Sequence, residues 1–260
     1  MNSDLWQILR GDSPLVATAI HDGHDVRDEV ARLLALDDTQ RRREEDPGTG
    51  VLADIADTRI VVRRSRFEVD PNRPRHQAVY LCPEDAWGLN VWKEAPSKDI
   101  IARSLRQYDA FYAEAAGTLT DLAQRHGRLI LLDLHAYNHR RGGPDAPPGG
   151  ASGNPEVDIE MEPADRSRWA PVMDRLMHDL RRVDFMGRRL DVRENVRFKP
   201  GNFARWVNAA FPDSVCAIAV EFKKLYMDEW TGEINGHHLQ ALATAMQSVI
   251  PGVMKELKAL

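Results

Sequence analysis

Residues 129–141 read LILLDLHAYNHRR. Gly127 interrupts whatever precedes them, and Leu129, Ile130, Leu131, Leu132 and Leu134 make a short, nearly continuous apolar run. A run this short after a glycine predicts a strand buried on both faces, as in a parallel sheet. It passes abruptly into Asp133, His135, Tyr137, Asn138, His139, Arg140 and Arg141. In α/β sheets the carboxyl ends of strands project side chains into a ligand crevice, so His135 is the first candidate functional residue. Its alternative role is to satisfy backbone groups at a strand terminus.

Two further apolar runs end in the same manner. Residues 15–20 (LVATAI) lead at once into His21-Asp22-Gly23-His24, and residues 217–220 (AIAV) lead into Glu221-Phe222-Lys223-Lys224. Upstream of His135, Ile101, Leu105, Tyr108, Phe111, Tyr112, Ala115, Leu119 and Leu122 recur at three- and four-residue spacings, which predicts a helix that Gly127 stops. Helix then strand reads as a crossover between parallel strands. Downstream, 142–154 (GGPDAPPGGASGN) is a long Gly/Pro/Ser loop and a candidate lid.

Elsewhere, 59–64 (RIVVRR) reads as a strand, Val26 to Ala35 as a short amphipathic helix, and 80–92 as an aromatic wall. Helices are also expected around Trp169–Val183, over 203–211 and over 239–257, with 191–201 irregular. The charge run 40–46 before Pro47-Gly48 reads as surface loop with a solvated face, although Asp46 at its apex is a candidate ligand. In 65–74 (SRFEVDPNRP) two prolines hold Asn72 and Arg73 in a rigid backbone. Arg73 offers a planar fork for a carboxylate; the alternative is an ion pair with Asp70.

The 260 residues suit one large α/β domain, with no repeat and no linker that would divide them. A hydrophobic share of 43% and a net charge of -5 give no electrostatic case for nucleic acid. Cys82 and Cys216 make no disulfide framework, and their apolar neighbours suggest buried thiols. The amino-terminal apolar run is too short for a membrane span or a signal core, so a cytoplasmic protein is expected.

In a parallel sheet the three polar strand ends lie on one edge, where His21, His24, His135 and Glu221 would converge. Imidazoles are common zinc ligands, and a catalytic zinc needs three protein ligands and an open position. A carboxylate beside that position can take a proton from bound water, whose pKa the metal lowers to about 7.

Taken in order, H-x-x-H, S-R-F-E-V-D-P-N-R, L-D-L-H-A-Y-N-H-R-R and V-E-F-K-K resemble the N-formylglutamate amidohydrolase family. That family is distantly similar to zinc carboxypeptidases and to the aspartoacylase and succinylglutamate desuccinylase group. The likeness spans residues 15–230, and D-P-N-R-P and D-L-H-A-Y-N-H-R-R are its most specific parts. It implies a three-layer αβα fold of the phosphorylase/hydrolase-like, zinc-carboxypeptidase-like kind. The sheet would be mixed and mainly parallel, with zinc at its carboxyl edge and one amidohydrolase domain over 1–260. By the resemblance His21 and His135 are ligands, Arg66 polarises the scissile carbonyl, Asn72 and Arg73 hold the substrate carboxylate, and Glu221 is the general base.

The departure is His24, where the carboxypeptidase-like pattern has Glu; this leaves the middle ligand open between His24 and Asp46. Arg141, Lys199 and Lys223 are candidates, by position, for a second substrate carboxylate. The implied activity is zinc-dependent hydrolysis of an N-acyl amino acid. A carboxypeptidase-like peptidase and a metal- or ligand-binding protein without turnover are the rivals.

Overall fold

The computed structural model describes residues 5–260. In chain order its strands are β1 (Trp6–Leu9), β2 (Leu15–Ala19), β3 (Thr58–Val62), β4 (Leu129–Tyr137), β5 (Val157–Glu160), β6 (Val192–Glu194) and β7 (Val215–Lys223). Its helices are α1 (Asp28–Ala31), α2 (Asp38–Glu44), α3 (Thr49–Leu52), α4 (Lys98–His126), α5 (Pro163–Arg168), α6 (Ala170–Leu180), α7 (Asn202–Ala210) and α8 (Gly236–Ala259). The strands form one sheet in the order β1-β3-β2-β4-β7-β5-β6. The central pairs β3/β2, β2/β4 and β4/β7 are parallel, whereas β1/β3 and β5/β7 are antiparallel. The expected mixed, mainly parallel sheet between helices is therefore what the chain builds.

Period-two alternation divides the sheet into two faces. Leu15, Ala17, Ile130, Leu132, Leu134, Ile218 and Val220 pack with α3, α6 and α8. Val16, Leu129, Leu131, Val215, Ala217 and Ala219 pack with α4 and α7. On this second face the side chains change character toward the carboxyl ends. Thr18 follows Val16, Asp133 and His135 follow Leu131, and Glu221 follows Ala219. The apolar half of each strand anchors the sheet, and the polar half floors a crevice.

α4 begins at Ser97, whose Oγ accepts the Ile100 N–H, and stops at Gly127, where φ is +77°. It carries the chain from β3 across to β4, the crossover that the spacing predicted. Chain connections leave β2 toward β3 on one side and β4 toward β5 on the other, so the crevice opens where strand order reverses.

Several expectations are corrected. The charge run 40–46 is not a solvated loop. Most of it lies in α2, started by an Asp37/Gln40 capping box, and Arg41, Glu44, Glu45 and Asp46 are buried. The helix expected over Val26 to Ala35 is a single turn, Asp28–Ala31. Cys216 is buried but Cys82 is exposed, because it heads a surface turn rather than a strand. Among the described residues, no helix is long and apolar enough to cross a membrane.

Candidate metal centre and active-site cleft

His21 follows β2 by two residues and His135 lies on the neighbouring β4. Asp46 reaches them from the turn after α2, where its backbone N–H donates to the His21 carbonyl at 2.9 Å. That turn is fixed by Asp22, whose Oδ1 accepts the N–H groups of Gly48 and Gly50. Asp46 Oδ2 lies 3.4 Å from His21 Nδ1 and 3.2 Å from His135 Nδ1. All three residues are buried, and one ligand atom from each lies within 4.8 Å of the others.

Behind each ring stands a second carboxylate. His21 Nε2 meets Asp70 at 2.7 Å and His135 Nε2 meets Asp133 at 3.0 Å. Asp133 also accepts the Thr18 hydroxyl at 2.6 Å. Carboxylates on the far nitrogens fix ring orientation and tautomer, leaving both Nδ1 atoms aimed at one point, as in metal-ligating histidines. Two imidazoles and a carboxylate are a suitable zinc donor set, and three buried ligands leave room for a fourth. The residues present fit a metal ion.

The electrostatics agree with this arrangement. Burial alone would raise Asp46, but hydrogen bonds to His135 and His21 hold it well below the usual carboxylate range. Burial would likewise depress His135, yet Asp133 and Asp46 raise it well above an ordinary imidazole. Asp70 is held low against its burial by Arg66 and His21.

His24 does not join this group. Its Nδ1 meets Glu45 at 2.6 Å and its Nε2 meets Arg41 at 3.0 Å, so both ring nitrogens are engaged against α2 and the residue after it. The chain turns between the two histidines at Gly23, so tightly that an added Cβ would sit 2.1 Å from the Arg63 carbonyl carbon. Of the two candidates for a middle ligand, Asp46 stands beside His21 and His135.

A cavity of about 420 Å³ opens over the cluster and is lined by Arg66, Asn72, Arg73, Arg141, Lys199 and Glu221 among others. Glu221 is the direct parallel neighbour of His135 in register. Burial, with Asp46 adding to it and His135 opposing it, pushes its carboxyl up to about 7. It has no ion pair with Lys223 or Lys224. Lys224 points its Nζ at the carbonyls of Arg43 and Glu45, and Lys223 is not among the lining residues. The expected place for Lys223 in the cleft is thus taken by its neighbour.

Arg66 donates to Tyr80 Oη, the Glu44 carbonyl and Asp70, and stacks 4.8 Å from the Trp87 ring. Asp70 also accepts the N–H of Asn72 at 2.7 Å. Asn72 Oδ1 accepts the Phe203 N–H, and Gly201 packs so closely that a Cβ there would lie 2.2 Å from the amide group. Asp70 thus pairs with Arg66 and His21 rather than with Arg73. Arg73 and Lys199, with Arg205 from α7, have no ion-pair partner among the described residues. Arg141 is paired with Glu44 at 3.0 Å. The loop 142–154 supplies none of the lining residues.

Glu160 and Arg205 carry no role in the sequence reading, Asp70 enters it only as a partner for Arg73, and Asp133 and Lys224 only as parts of polar strand ends. Asp133 sits one strand period before His135. Glu160 belongs to an alternation, VDIEM, that marks β5 as half polar. Both were findable by period; Arg205 carries no local signal.

Residues 13–227 match the model of the N-formylglutamate amidohydrolase family. Among solved structures, an N-formylglutamate amidohydrolase from Ralstonia eutropha is similar at 16% identity with a TM-score of 0.76, covering 98% of each chain. A gene product of Agrobacterium tumefaciens is similar at 15% identity and a TM-score of 0.69, covering 98% of this chain and 97% of that one. At these identities the likeness is one of fold. No curated protein matches the chain.

Proposed function

The chain belongs to the N-formylglutamate amidohydrolase family, and from that premise we propose that it hydrolyses the amide bond of an N-acyl amino acid, N-formyl-L-glutamate foremost, with a zinc ion held by His21, Asp46 and His135. The observation that carries this reading is the pair of imidazoles aimed at Asp46, each backed by its own acid, beneath a cavity lined by Glu221 and by cations that have no ion-pair partner among the described residues. Zinc bound there would polarise the acyl carbonyl and lower the pKa of a water molecule.

Glu221 accepts the proton of the attacking water and delivers it to the leaving nitrogen. A carboxyl near 7 serves both directions of transfer at neutral pH. Three of the five N–H donors of Arg66 are spent on Tyr80, Glu44 and Asp70. The other two, on a guanidinium locked in place, face the oxygen on which negative charge develops. Asn72 and Arg73 hold the α-carboxylate. Lys199 and Arg205, which have no acid of their own, receive the side-chain carboxylate, a role for which Arg141 is already committed to Glu44.

The test is a panel of N-formyl and N-acetyl amino acids on metal-analysed protein, run beside Glu221→Gln. General acid–base groups contribute about 10²–10⁴-fold, so the variant should keep its metal and lose at least that much kcat. Metal-loaded wild type that turns over no member of the panel overturns the hydrolytic reading in favour of a binding protein. A variant that keeps metal and rate overturns the role of Glu221.

A further inference from the structure

β5 presents Val157 and Ile159 to the core and Asp158 and Glu160 to the crevice face, and all four are buried. The two acids differ in how they are used. Asp158 accepts the backbone N–H groups of Val196, Arg197 and Phe198, and so staples the loop after β6. Glu160 lines the cavity, is 2% exposed, and has a buried Oε1 with no hydrogen-bond partner. The end of its strand is fixed, because Asn195 bonds both the N–H and the carbonyl of Met161.

A buried, unpaired oxygen in a held side chain calls for an explanation, and one that lines a ligand cavity finds it in the ligand. The antiparallel register sets Asp158 beside Glu221 and Glu160 beside Ala219. The small Ala219 side chain, itself a lining residue, leaves the Glu160 carboxyl open to the cavity. Glu160 and Glu221 therefore share one wall of the cavity, while Arg73, Lys199 and Arg205 line it without an ion-pair partner among the described residues. Burial, reinforced by Glu221 and Asp158, pushes the Glu160 carboxyl up to about 9, because no donor in the protein bonds its Oε1 to offset the desolvation.

An acidic wall selects an N–H group. Hydrolysis joins the water oxygen to the acyl carbon and breaks the C–N bond, and both water protons finish on nitrogen, leaving carboxylate and ammonium. The atom that gains positive charge must lie within reach of Glu221, which hands it the proton.

We propose that Glu160 binds this leaving nitrogen, accepting the amide N–H of the bound substrate and then holding the ammonium of the released amino acid. The proposal rests on the amidohydrolase reading. It assigns Glu160 to amide recognition and product retention, separate from the proton transfer of Glu221.

The experiment compares zinc-loaded wild type, Glu160→Gln and Glu160→Met on N-formyl-L-glutamate and on its oxygen ester, O-formyl-2-hydroxyglutarate, which has no N–H. Glu160→Met, near in shape and without an acceptor, should lower amide kcat/KM about tenfold or more and leave the ester within about threefold. Glu160→Gln keeps an acceptor oxygen and should recover most of the amide-to-ester ratio. Binding of L-glutamate should weaken at least tenfold in both variants, whereas 2-hydroxyglutarate binding should not.

Equal losses on amide and ester, or unchanged L-glutamate binding, overturn the proposal and leave Glu160 structural. If wild type hydrolyses neither compound, the functional reading fails by itself. The comparison of L-glutamate with 2-hydroxyglutarate binding still decides whether Glu160 reads an ammonium.

Discussion

Replacing Asp70 by Asn changes one atom's chemistry and tests the support of the whole site. Oδ1 of Asp70 meets His21 Nε2 at 2.7 Å and the Asn72 N–H at 2.7 Å. Oδ2 meets Arg66 Nη2 at 2.9 Å and accepts the Tyr80 hydroxyl. Asn can keep the first pair through its one oxygen, but its NH₂ then faces the Arg66 and Tyr80 donors. The Arg66 side chain is only 11% exposed, so water offers it little in exchange. Removing one member of a buried ion pair costs about 3–5 kcal/mol. Against a typical total of about 5–15 kcal/mol the variant still folds, so both consequences are measurable. Urea unfolding of metal-free protein should show the stability loss. Competition with a chelator should show zinc affinity falling about 10–100-fold, the usual effect of deleting a carboxylate behind a ligating imidazole. A variant within about 1 kcal/mol of wild type and within twofold in zinc affinity would refute the claim that Asp70 organises His21 and Arg66 together.

Elemental analysis should find no stoichiometric zinc in His21→Ala, Asp46→Ala or His135→Ala and full zinc in His24→Ala, since His24 is held by Glu45 and Arg41 away from the cluster. Loss of metal from His24→Ala alone would reverse the choice of middle ligand. Arg73→Lys keeps the charge but loses the bidentate fork and should raise KM for every N-acyl amino acid. Arg205→Ala should raise KM about tenfold for N-formyl-glutamate and little for N-formyl-leucine, the loss of one charge-assisted hydrogen bond; equal effects on both would remove Arg205 from side-chain recognition. The buried Glu229 is held low, against its burial, by His139 and the N–H groups of His139 and Arg140. A depressed carboxyl stabilises the fold above its unfolded value of about 4.3 and loses that contribution as pH falls through the folded value. Stability should therefore fall as pH drops below about 4.3 in wild type, and less steeply in Glu229→Gln.

How much of this was legible in the sequence depends on the range of the signal. Strand ends announce themselves locally, because an apolar run that stops at a histidine or glutamate marks a buried strand reaching a crevice. This signal alone brings His21, His135 and Glu221 to one edge, and the parallel register sets His135 directly beside Glu221. The charge run before Pro47 failed for a corresponding reason. Composition cannot distinguish charges facing water from charges facing one another. Here Arg41 meets His24 and Asp38, Glu45 meets His24 and Ser65, and Glu44 meets Arg141, partners up to 97 residues away. Those pairings turn α2 inward and bring Asp46 beside the two imidazoles, a placement that depends on contacts far apart in the chain. The H-x-x-H spacing is silent on partners in the same way, and the fold sets His24 against Glu45 and Arg41 rather than beside His21 and His135. The physical distinction is that alternation reports which face a residue occupies, whereas ion pairing reports which residue it meets. Asp133 and Glu160 belong to the first kind and could have been found by period two, while the second kind decides which groups Asp46 and Asp70 meet, and Arg205, without any local signal, becomes visible only once the chain has folded.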